Sequence, residues 1–189
     1  MAILPITIWG EPVLHTPAQP VTQFDDTLKK LVEDMYETMD MAPGVGLAGP
    51  QVGLPLRLFT YGWKDPRSGV EHRGVAINPE LWISPLPKGA VDLDADAEGC
   101  LSVPGERYPT KRAERALLKA YDLNNEPFEL ETEGWFARIL QHEYDHLNGI
   151  IYIDRLDFVQ QRKALKEIAR NGWGKPGNTW LPGVDNLEG

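Results

Sequence analysis

The sequence predicts an α+β fold. Short segments with the alternation and composition of β-strands fill the middle of the chain, and helical periodicity occurs before and after them. Strands and helices do not alternate, as a doubly wound parallel sheet would require. With 189 residues the chain is long enough for one domain, and its single cysteine excludes an internal disulfide.

The first predicted element is a helix over residues 26–41. Apolar residues recur in it at three- and four-residue intervals, and either Asp25 or Asp26 can cap its start. Pro43 and Gly44 then end it. The strands that follow are short, apolar or alternating, and bounded by Pro, Gly or Asn. They are predicted at residues 56–61, 74–77, 113–121 and 128–132, with loops at residues 62–73 and 84–98.

Two more helices are predicted in the second half of the chain. The first covers residues 134–147 and the second residues 155–171. The residues of the second that should face inward are Phe158, Leu165, Ile168 and Ala169. We therefore expect one domain over residues 1–171, followed by a Gly/Pro-rich tail over residues 172–189 that is extended or mobile rather than folded by itself.

Composition restricts the class of function. The chain is 42% hydrophobic and 25% charged, which is typical of globular proteins. Its formal net charge of -9 makes it a poor general nucleic-acid binder, so no DNA partner is expected. The N-terminus has no basic segment followed by an apolar run, and no stretch approaches the roughly 18 apolar residues of a membrane span. We therefore expect a cytoplasmic protein without a membrane partner.

The strongest local signal is the segment His142-Glu143-Tyr144-Asp145-His146 in the second predicted helix. Residues four apart lie on one helical face, so both imidazoles can reach one metal ion. Glu143 projects beside the first histidine, where it can act as general acid/base. The flanking apolar residues predict a buried helix, and a buried histidine pair needs a structural or chemical reason. The segment therefore predicts a metal hydrolase.

The spacing of the sequence does not by itself identify the third metal ligand. Tyr152 stands where enzymes with a longer form of this motif have a third histidine. Glu167 has the right distance along the chain for another class, but its position suits a solvated charge on an amphipathic helix. Cys100 is a soft donor, although a lone cysteine is usually a small buried apolar residue. Spacing alone leaves this ligand open.

Three segments together resemble the signature motifs of peptide deformylase of the bacterial type, in the same order. They are Gly44-Val45-Gly46-Leu47-Ala48-Gly49-Pro50-Gln51, Glu98-Gly99-Cys100-Leu101-Ser102 and Gln141-His142-Glu143-Tyr144-Asp145-His146. The resemblance extends over most of residues 5–170 and leaves out the tail. It implies antiparallel β-sheets packed around a central helix that carries the histidine motif, with one helix near each end.

The resemblance also implies an activity and a cofactor. Members of the family remove the formyl group from the N-terminal formylmethionine of new polypeptides in the bacterial cytoplasm and release formate. Cys100, His142 and His146 would hold one divalent metal, usually Fe(II), which zinc, nickel or cobalt can replace. Glu143 would take a proton from the attacking water and pass it to the leaving amine.

Further roles follow from the same resemblance. The Gln51 side-chain amide and the Leu101 backbone N–H would stabilise the oxyanion of the tetrahedral intermediate. The residues that would bind substrate are Gly44, Val45, Gly46, Gly99 and Arg107. Gly49 is a departure, because the family commonly has alanine at this position. We expect Gly49 to loosen the turn that carries Gln51 without removing a catalytic group.

Two charged clusters have ordinary interpretations. The acidic residues Asp92, Asp94 and Asp96 are typical of a solvated loop and lack the remaining spacing of a calcium site, whereas Glu98 can orient the cysteine segment. A basic face on the helix over residues 155–171 comprises Arg155, Arg162, Lys166 and Arg170. Such a face is usually solvated, and contact with ribosomal RNA is the alternative.

Two other functions compete with the deformylase hypothesis. A metalloendopeptidase would share the histidine motif, but it would keep its metal after Cys100→Ser and would cut internal peptide bonds. A peptide-binding module would hold the metal without turnover. Intact Glu143 and Gln51 argue against the second alternative.

Overall fold

The computed structural model describes residues 2–185 and residue 187, and it contains mixed α-helices and antiparallel strands. Three helices, α1 (Asp26–Met41), α2 (Gly134–Leu147) and α3 (Phe158–Arg170), are present in this part of the chain. The bounds of α1 and α2 agree with the prediction. α3 starts later than predicted because Tyr152–Arg155 form a separate 3₁₀ turn, after which Asp157 caps the helix by accepting the Gln160 N–H.

The described strands form one main sheet and two smaller pairs. The main sheet has the order β2-β3-β4-β7-β8, β5 pairs with β6, and β1 pairs with β9. The pairing between these strands is antiparallel throughout. In chain order the strands are β1 (Ile6–Thr7), β2 (Gly46–Ala48), β3 (Leu58–Lys64), β4 (Glu71–Ile83), β5 (Ala97–Cys100), β6 (Val103–Pro109), β7 (Arg115–Tyr121), β8 (Pro127–Glu133) and β9 (Thr179–Trp180).

The loop predicted over residues 62–73 is wrong. Its two ends continue β3 and β4, where Gly62 pairs with Arg73 and Lys64 with Glu71. Only the turn between these strands lacks pairing, so the segment is a β-hairpin. Polar and charged residues hid it, because a strand with an exposed face at its end lacks the apolar alternation that signals a strand. The strands β1, β2, β5, β6 and β9 were not predicted for the same reason or because they are short. Because β5 begins at Ala97, the loop predicted over residues 84–98 is wrong at its last two residues.

The inward face predicted for α3 is also largely wrong. Phe158 is 75% exposed, and Leu165 and Ala169 are exposed as well. Ala164 and Ile168, four residues apart, are the buried pair on this helix. A small residue beside one isoleucine lets the helix lie close against the core, while Phe158 in the first turn projects beyond that contact. The exposed aromatic ring is therefore a surface feature.

α2 lies at the centre of the molecule. One side packs on the main sheet through Phe136, Ile139, Leu140 and Leu147, beside Phe59 and Leu118. The opposite side carries the histidine motif toward the β5–β6 pair. Burial on both sides fixes the position of this helix, so the motif side chains have a defined geometry.

Described residues after residue 171 pack on the beginning of the chain rather than standing alone, and residues 186, 188 and 189 of the predicted tail lie outside the described part. β9 pairs with β1, with Trp180 opposite Ile6, and Trp180 is 3% exposed. Within residues 2–185 and 187, no helix is both long enough and apolar enough to cross a membrane.

Candidate metal centre and substrate cleft

Three ligand atoms converge where α2 meets the end of β5. His142 and His146 lie one helical turn apart with their Nε2 atoms separated by 3.2 Å, and Cys100 Sγ lies 3.3 Å from His146 Nε2. All three residues are buried, and their ligand atoms lie within 4.8 Å of one another. Neither Tyr152 nor Glu167 belongs to this cluster. The Tyr152 hydroxyl instead donates to the Glu106 backbone carbonyl.

The donor set suits a divalent metal ion. One thiolate and two imidazoles are ligands for iron, zinc, cobalt or nickel. Burial by itself lowers the pKa of His142, but neighbouring Cys100 and Glu98 raise it well above its usual value. This position therefore favours a positive charge, which a bound cation can supply. The buried Cys/His/His cluster can hold one metal ion.

Glu98 orients the first histidine. Its Oε1 lies 2.6 Å from His142 Nδ1, so the Nδ1–H donates to it and Nε2 faces the cluster. Arg112 donates two further hydrogen bonds to the Glu98 carboxylate, at 3.0 and 2.6 Å. Burial raises the pKa of Glu98, but Arg112 and His142 outweigh it and hold the pKa well below its usual range. Glu98 is therefore an ionised support for His142, whereas the sequence suggested only that it orients the cysteine segment.

A buried network of ion pairs connects Glu98 to Asp145 on α2. Arg112 Nη1 donates to Asp145 Oδ2 at 2.5 Å, and Asp145 also binds Arg155. The side chains of Arg112 and Asp145 are 3% and 6% exposed. Two acidic side chains therefore flank one buried guanidinium, and α2 is tied to both neighbouring segments. Among the predicted acidic loop residues, Asp96 pairs with Arg138, and Asp92 and Asp94 are exposed.

Glu143 lies beside the metal cluster in a confined position. The residue is 3% exposed, and burial raises its pKa to about 7. Among the described residues its Oε2 has no hydrogen-bond partner. Gly46 on β2 makes this position accessible, since a methyl group there would lie 2.8 Å from Glu143 Cγ and closer still to the carboxylate. The first glycine-rich motif thus gives room to the carboxylate of the third motif.

Gln51 turns the donor end of its amide toward the cluster. Its Oε1 accepts the Ala48 N–H at 2.9 Å, which leaves Nε2 3.6 Å from Cys100 Sγ and 3.4 Å from Ser102 Oγ. Gly49 is buried in the same 3₁₀ turn, and a methyl group there would lie 2.5 Å from the Leu56 carbonyl oxygen. In this chain glycine therefore allows a close approach of Leu56 instead of loosening the turn.

A cavity of about 330 Å³ opens beside the cluster. The sequence-predicted site residues that line it are Gly44, Val45, Gly46, Gln51, Gly99, Cys100, Leu101, Arg107, His142 and Glu143. His146 lies behind them. The structure thus brings together residues from all three motifs.

Several cavity residues were missed in the sequence. Trp135, Arg138 and Ile139 precede His142 by seven, four and three residues, so helical spacing from the motif would have placed them on its face. No local sequence pattern marks Trp63 as a cavity residue, because it reaches the cavity only through the β3–β4 hairpin. The other lining residues are Pro43, Ala97, Glu98 and Glu106.

Comparison with known proteins agrees with the geometry. The model of the polypeptide deformylase family matches residues 3–162. The peptide deformylase of Mycobacteroides abscessus is 51% identical, covering 97% of this chain and 96% of its own, and that of Rhodococcus opacus is 50% identical, covering 97% and 95%. Such coverage must include most of residues 172–189, beyond the range in which the motifs showed the resemblance.

Solved structures have the same fold. A peptide deformylase from Legionella pneumophila has a TM-score of 0.76 and 36% identity, covering 90% of this chain and 96% of that chain. The peptide deformylase of Synechococcus elongatus in complex with actinonin has a TM-score of 0.73 and 34% identity, covering 90% and 86%. The predicted α+β class with a peptide deformylase arrangement is confirmed, and the chain belongs to the peptide deformylase family.

Proposed function

We propose that this enzyme removes the formyl group from the N-terminal formylmethionine of newly synthesised polypeptides in the bacterial cytoplasm and releases formate. The observation that carries this proposal is one cavity lined by Cys100 and His142 of the Cys/His/His cluster, by a buried glutamate and by a glutamine amide. A formamide is a poor electrophile, so its hydrolysis needs carbonyl activation, a proton acceptor and stabilisation of the oxyanion.

Cys100, His142 and His146 would hold one divalent metal, Fe(II) in the cell, with zinc, nickel or cobalt as substitutes. When bound, the ion supplies Lewis acidity and brings the pKa of water toward neutrality. His142 is oriented for this role by Glu98. The soft thiolate and the two imidazoles support the proposed set of metals.

Glu143 is the proposed general base and acid. Its carboxylate accepts a proton from the attacking water and delivers that proton to the leaving amine. A pKa near 7 suits both steps, because the group must be able to hold and release a proton at the working pH. Its unpartnered Oε2 leaves an atom free for this transfer.

Gln51 Nε2 and the Leu101 backbone N–H are the proposed oxyanion donors. Two donors aimed at the developing charge form such a hole, and the loss of one typically costs on the order of a hundredfold in turnover. The proposed substrate-binding residues are Gly44, Val45, Gly46, Gly99 and Arg107. β2 is an edge strand of the main sheet, so an extended peptide has free backbone groups to pair with there.

A formyl-Met-Ala assay tests the proposal. Protein purified without oxygen should release formate, and metal analysis should find about one divalent ion per chain. Glu143→Gln should lower turnover at least about a hundredfold with the metal retained. Cys100→Ser should lose metal, which a metalloendopeptidase using other ligands would not.

Glu167→Gln is the matched control, since Glu167 on α3 lies outside the cluster, and it should retain both metal and turnover. No formate with any of iron, zinc, nickel or cobalt would overturn the proposal. Cleavage of internal peptide bonds by the Cys100→Ser variant would favour the endopeptidase.

A contact with the ribosome is a separate proposal, and it rests on α3. Arg162 and Lys166 are exposed on this helix beside the exposed residues Phe158 and Val159, whereas Arg155 is engaged by Asp145. A helix face that combines apolar and basic side chains is better suited to contact a ribonucleoprotein surface than to face only solvent. We expect Arg162→Glu with Lys166→Glu to reduce co-sedimentation with ribosomes, and Lys29→Glu on α1 to leave it unchanged. Equal co-sedimentation of both variants would reject this contact.

A further inference from the structure

Two short strands, β1 and β9, pair behind the substrate cleft although they lie far apart in the chain. β1 and β9 pair antiparallel, with Ile6 opposite Trp180 and Thr7 opposite Thr179. Trp180 and Thr7 are both buried, at 3% and 7% exposure. We call this pair the terminal ribbon. Each of its strands makes a side-chain hydrogen bond to one segment of the cleft.

β1 contacts the turn that carries Gln51. The Thr7 hydroxyl lies 3.1 Å from the carbonyl oxygens of both Pro50 and Gln51 and donates to them. Thr7 thus holds the Gln51 backbone, and the bond from the Ala48 N–H to Oε1 holds the Gln51 side-chain amide. The direction of Gln51 Nε2 depends on both contacts, and the first of them comes from β1.

β9 contacts the other segment. The Trp180 indole N–H donates to the Leu101 carbonyl at 2.8 Å. The next carbonyl, that of Ser102, accepts the Trp9 backbone N–H at 2.8 Å, just after β1. On its other side Leu101 follows Cys100, which belongs to the ligand cluster. Only a few backbone torsions therefore separate the Leu101 N–H from Cys100 on one side and from the hydrogen-bonded carbonyls of Leu101 and Ser102 on the other.

We propose that the terminal ribbon positions the oxyanion hole, with Thr7 and Trp180 as positioning residues that set the distance between Gln51 Nε2 and the Leu101 N–H. The proposal rests on the roles assigned to Gln51 and Leu101 under the proposed function. Preorganised donors act only when they are held within about 0.5 Å of the productive geometry. One rigid ribbon that contacts both donor segments meets this requirement, although neither positioning residue lines the cavity.

Thr7→Val and Trp180→Phe test the proposal, because each removes one donor group and keeps an apolar side chain. Losing an oxyanion donor costs at least about a hundredfold, so we expect its misplacement to lower kcat about tenfold. KM and bound metal should change less than about twofold, because the substrate and metal contacts remain. Thr7→Ser, which keeps the hydroxyl, should recover most of the kcat.

Two matched controls separate positioning from packing. Thr179→Val removes a hydroxyl from the same ribbon that makes no side-chain hydrogen bond within the described chain. Trp9→Phe removes a buried indole N–H without a partner among the described residues. Both should keep the kcat of the unmodified enzyme. For Trp180, the isosteric benzothienyl analogue of tryptophan, which lacks the N–H, should reproduce the loss if Trp180→Phe unfolds.

A second readout does not depend on turnover. In the metal-loaded enzyme, hydrogen exchange should rise over residues 49–53 in Thr7→Val and over residues 98–103 in the Trp180 variants, and it should not rise in the controls. The positioning proposal fails if exchange in both segments is unchanged, if kcat is unchanged, or if Thr7→Ser loses as much kcat as Thr7→Val. Absence of formate release by the unmodified enzyme would instead overturn the proposed function, and the exchange data would still decide whether the ribbon holds these segments.

Discussion

At the scale of single residues, Gly46 shapes the site because its lack of a side chain leaves space for the Glu143 carboxylate. The carboxylate of Glu143 occupies the space where any larger residue at position 46 would place its Cβ. Because the surrounding strand and helix are buried, neither can move away at low cost. The glycine-rich motif therefore has a steric function toward Glu143 in addition to lining the cleft.

Gly46→Ala tests this steric function. The methyl group should displace the Glu143 carboxylate by a few tenths of an ångström or more, and kcat for formyl-Met-Ala should fall at least about tenfold. Bound metal should stay near one per chain because the three atoms nearest to the new methyl all belong to Glu143 and none to Cys100 or the two histidines. Kinetics with metal analysis measure both quantities. An unchanged kcat would show that Glu143 tolerates the displacement or is not the proton carrier.

The residues of the metal cluster differ in how far they could be predicted. His142 and His146 follow from the spacing of one helix, which is a local property. Cys100 lies on a strand far away in sequence, so spacing left it undecided between a metal ligand and a small buried apolar residue, and only the resemblance to a family favoured the ligand. The raised pKa of Glu143 could not be predicted from the sequence either, since it depends on burial by residues from several elements.

At the scale of elements, capping determines where α1 begins. The sequence offered Asp25 and Asp26, and in the structure Asp25 Oδ1 accepts the Leu28 N–H at 3.0 Å while Asp26 pairs with exposed Lys29. Asp25→Ala should lower the free energy of unfolding by about 1 kcal/mol, and Asp26→Ala by less than about half of that. Urea denaturation measures the difference. Equal losses would mean that the cap contributes no more than a surface charge.

The buried network that anchors α2 should be far more important to stability than a surface pair. Arg112→Met removes the shared partner of buried Glu98 and Asp145 and leaves them only Arg138, His142 and Arg155, so we expect a loss of about 3 kcal/mol in the free energy of unfolding. Lys119→Met breaks the exposed pair with Glu129 and a contact of the ammonium with the Trp82 ring, and it should cost less than about 1 kcal/mol. Thermal and urea unfolding of both variants measure the contrast. A small effect of Arg112→Met would show that the two carboxylates become protonated or hydrated.

At the scale of the whole molecule, local and long-range order were predicted with different success. α1 and α2 have periodic apolar faces and clear stop signals, so their bounds followed from the sequence. The terminal ribbon has two residues in each strand, from opposite ends of the chain, and no pattern in either segment signals their pairing. The tail was therefore expected to be extended or mobile, whereas Trp180 is among the buried residues of the core.

The balance of charge in the whole molecule predicts sensitivity to acid. Hydrogen bonds from backbone N–H groups lower the pKa of Asp92 and Asp122, and Arg112 with His142 lowers that of buried Glu98 against the effect of burial. In the unfolded chain these groups return to about 4. At these three groups the unfolded state therefore binds more protons than the native state around and below that value, so their contribution to native stability falls as the pH falls and is fully present above about pH 5.

Metal-free protein gives the direct test, because release of a metal in acid then makes no contribution. The urea midpoint should fall progressively below about pH 4.5, whereas between about pH 4.5 and 7 Glu143, whose pKa is raised to about 7, acts in the opposite direction. Glu98→Gln should be less stable at neutral pH and should show a flatter decline in acid, since it removes the buried group with the lowered pKa. Glu129→Gln, at an exposed position on β8, should keep the slope of the unmodified protein. A Glu98→Gln variant with the same slope would show that Glu98 is not ionised in the native state, and the support assigned to it for His142 would then have to come from a neutral carboxyl group.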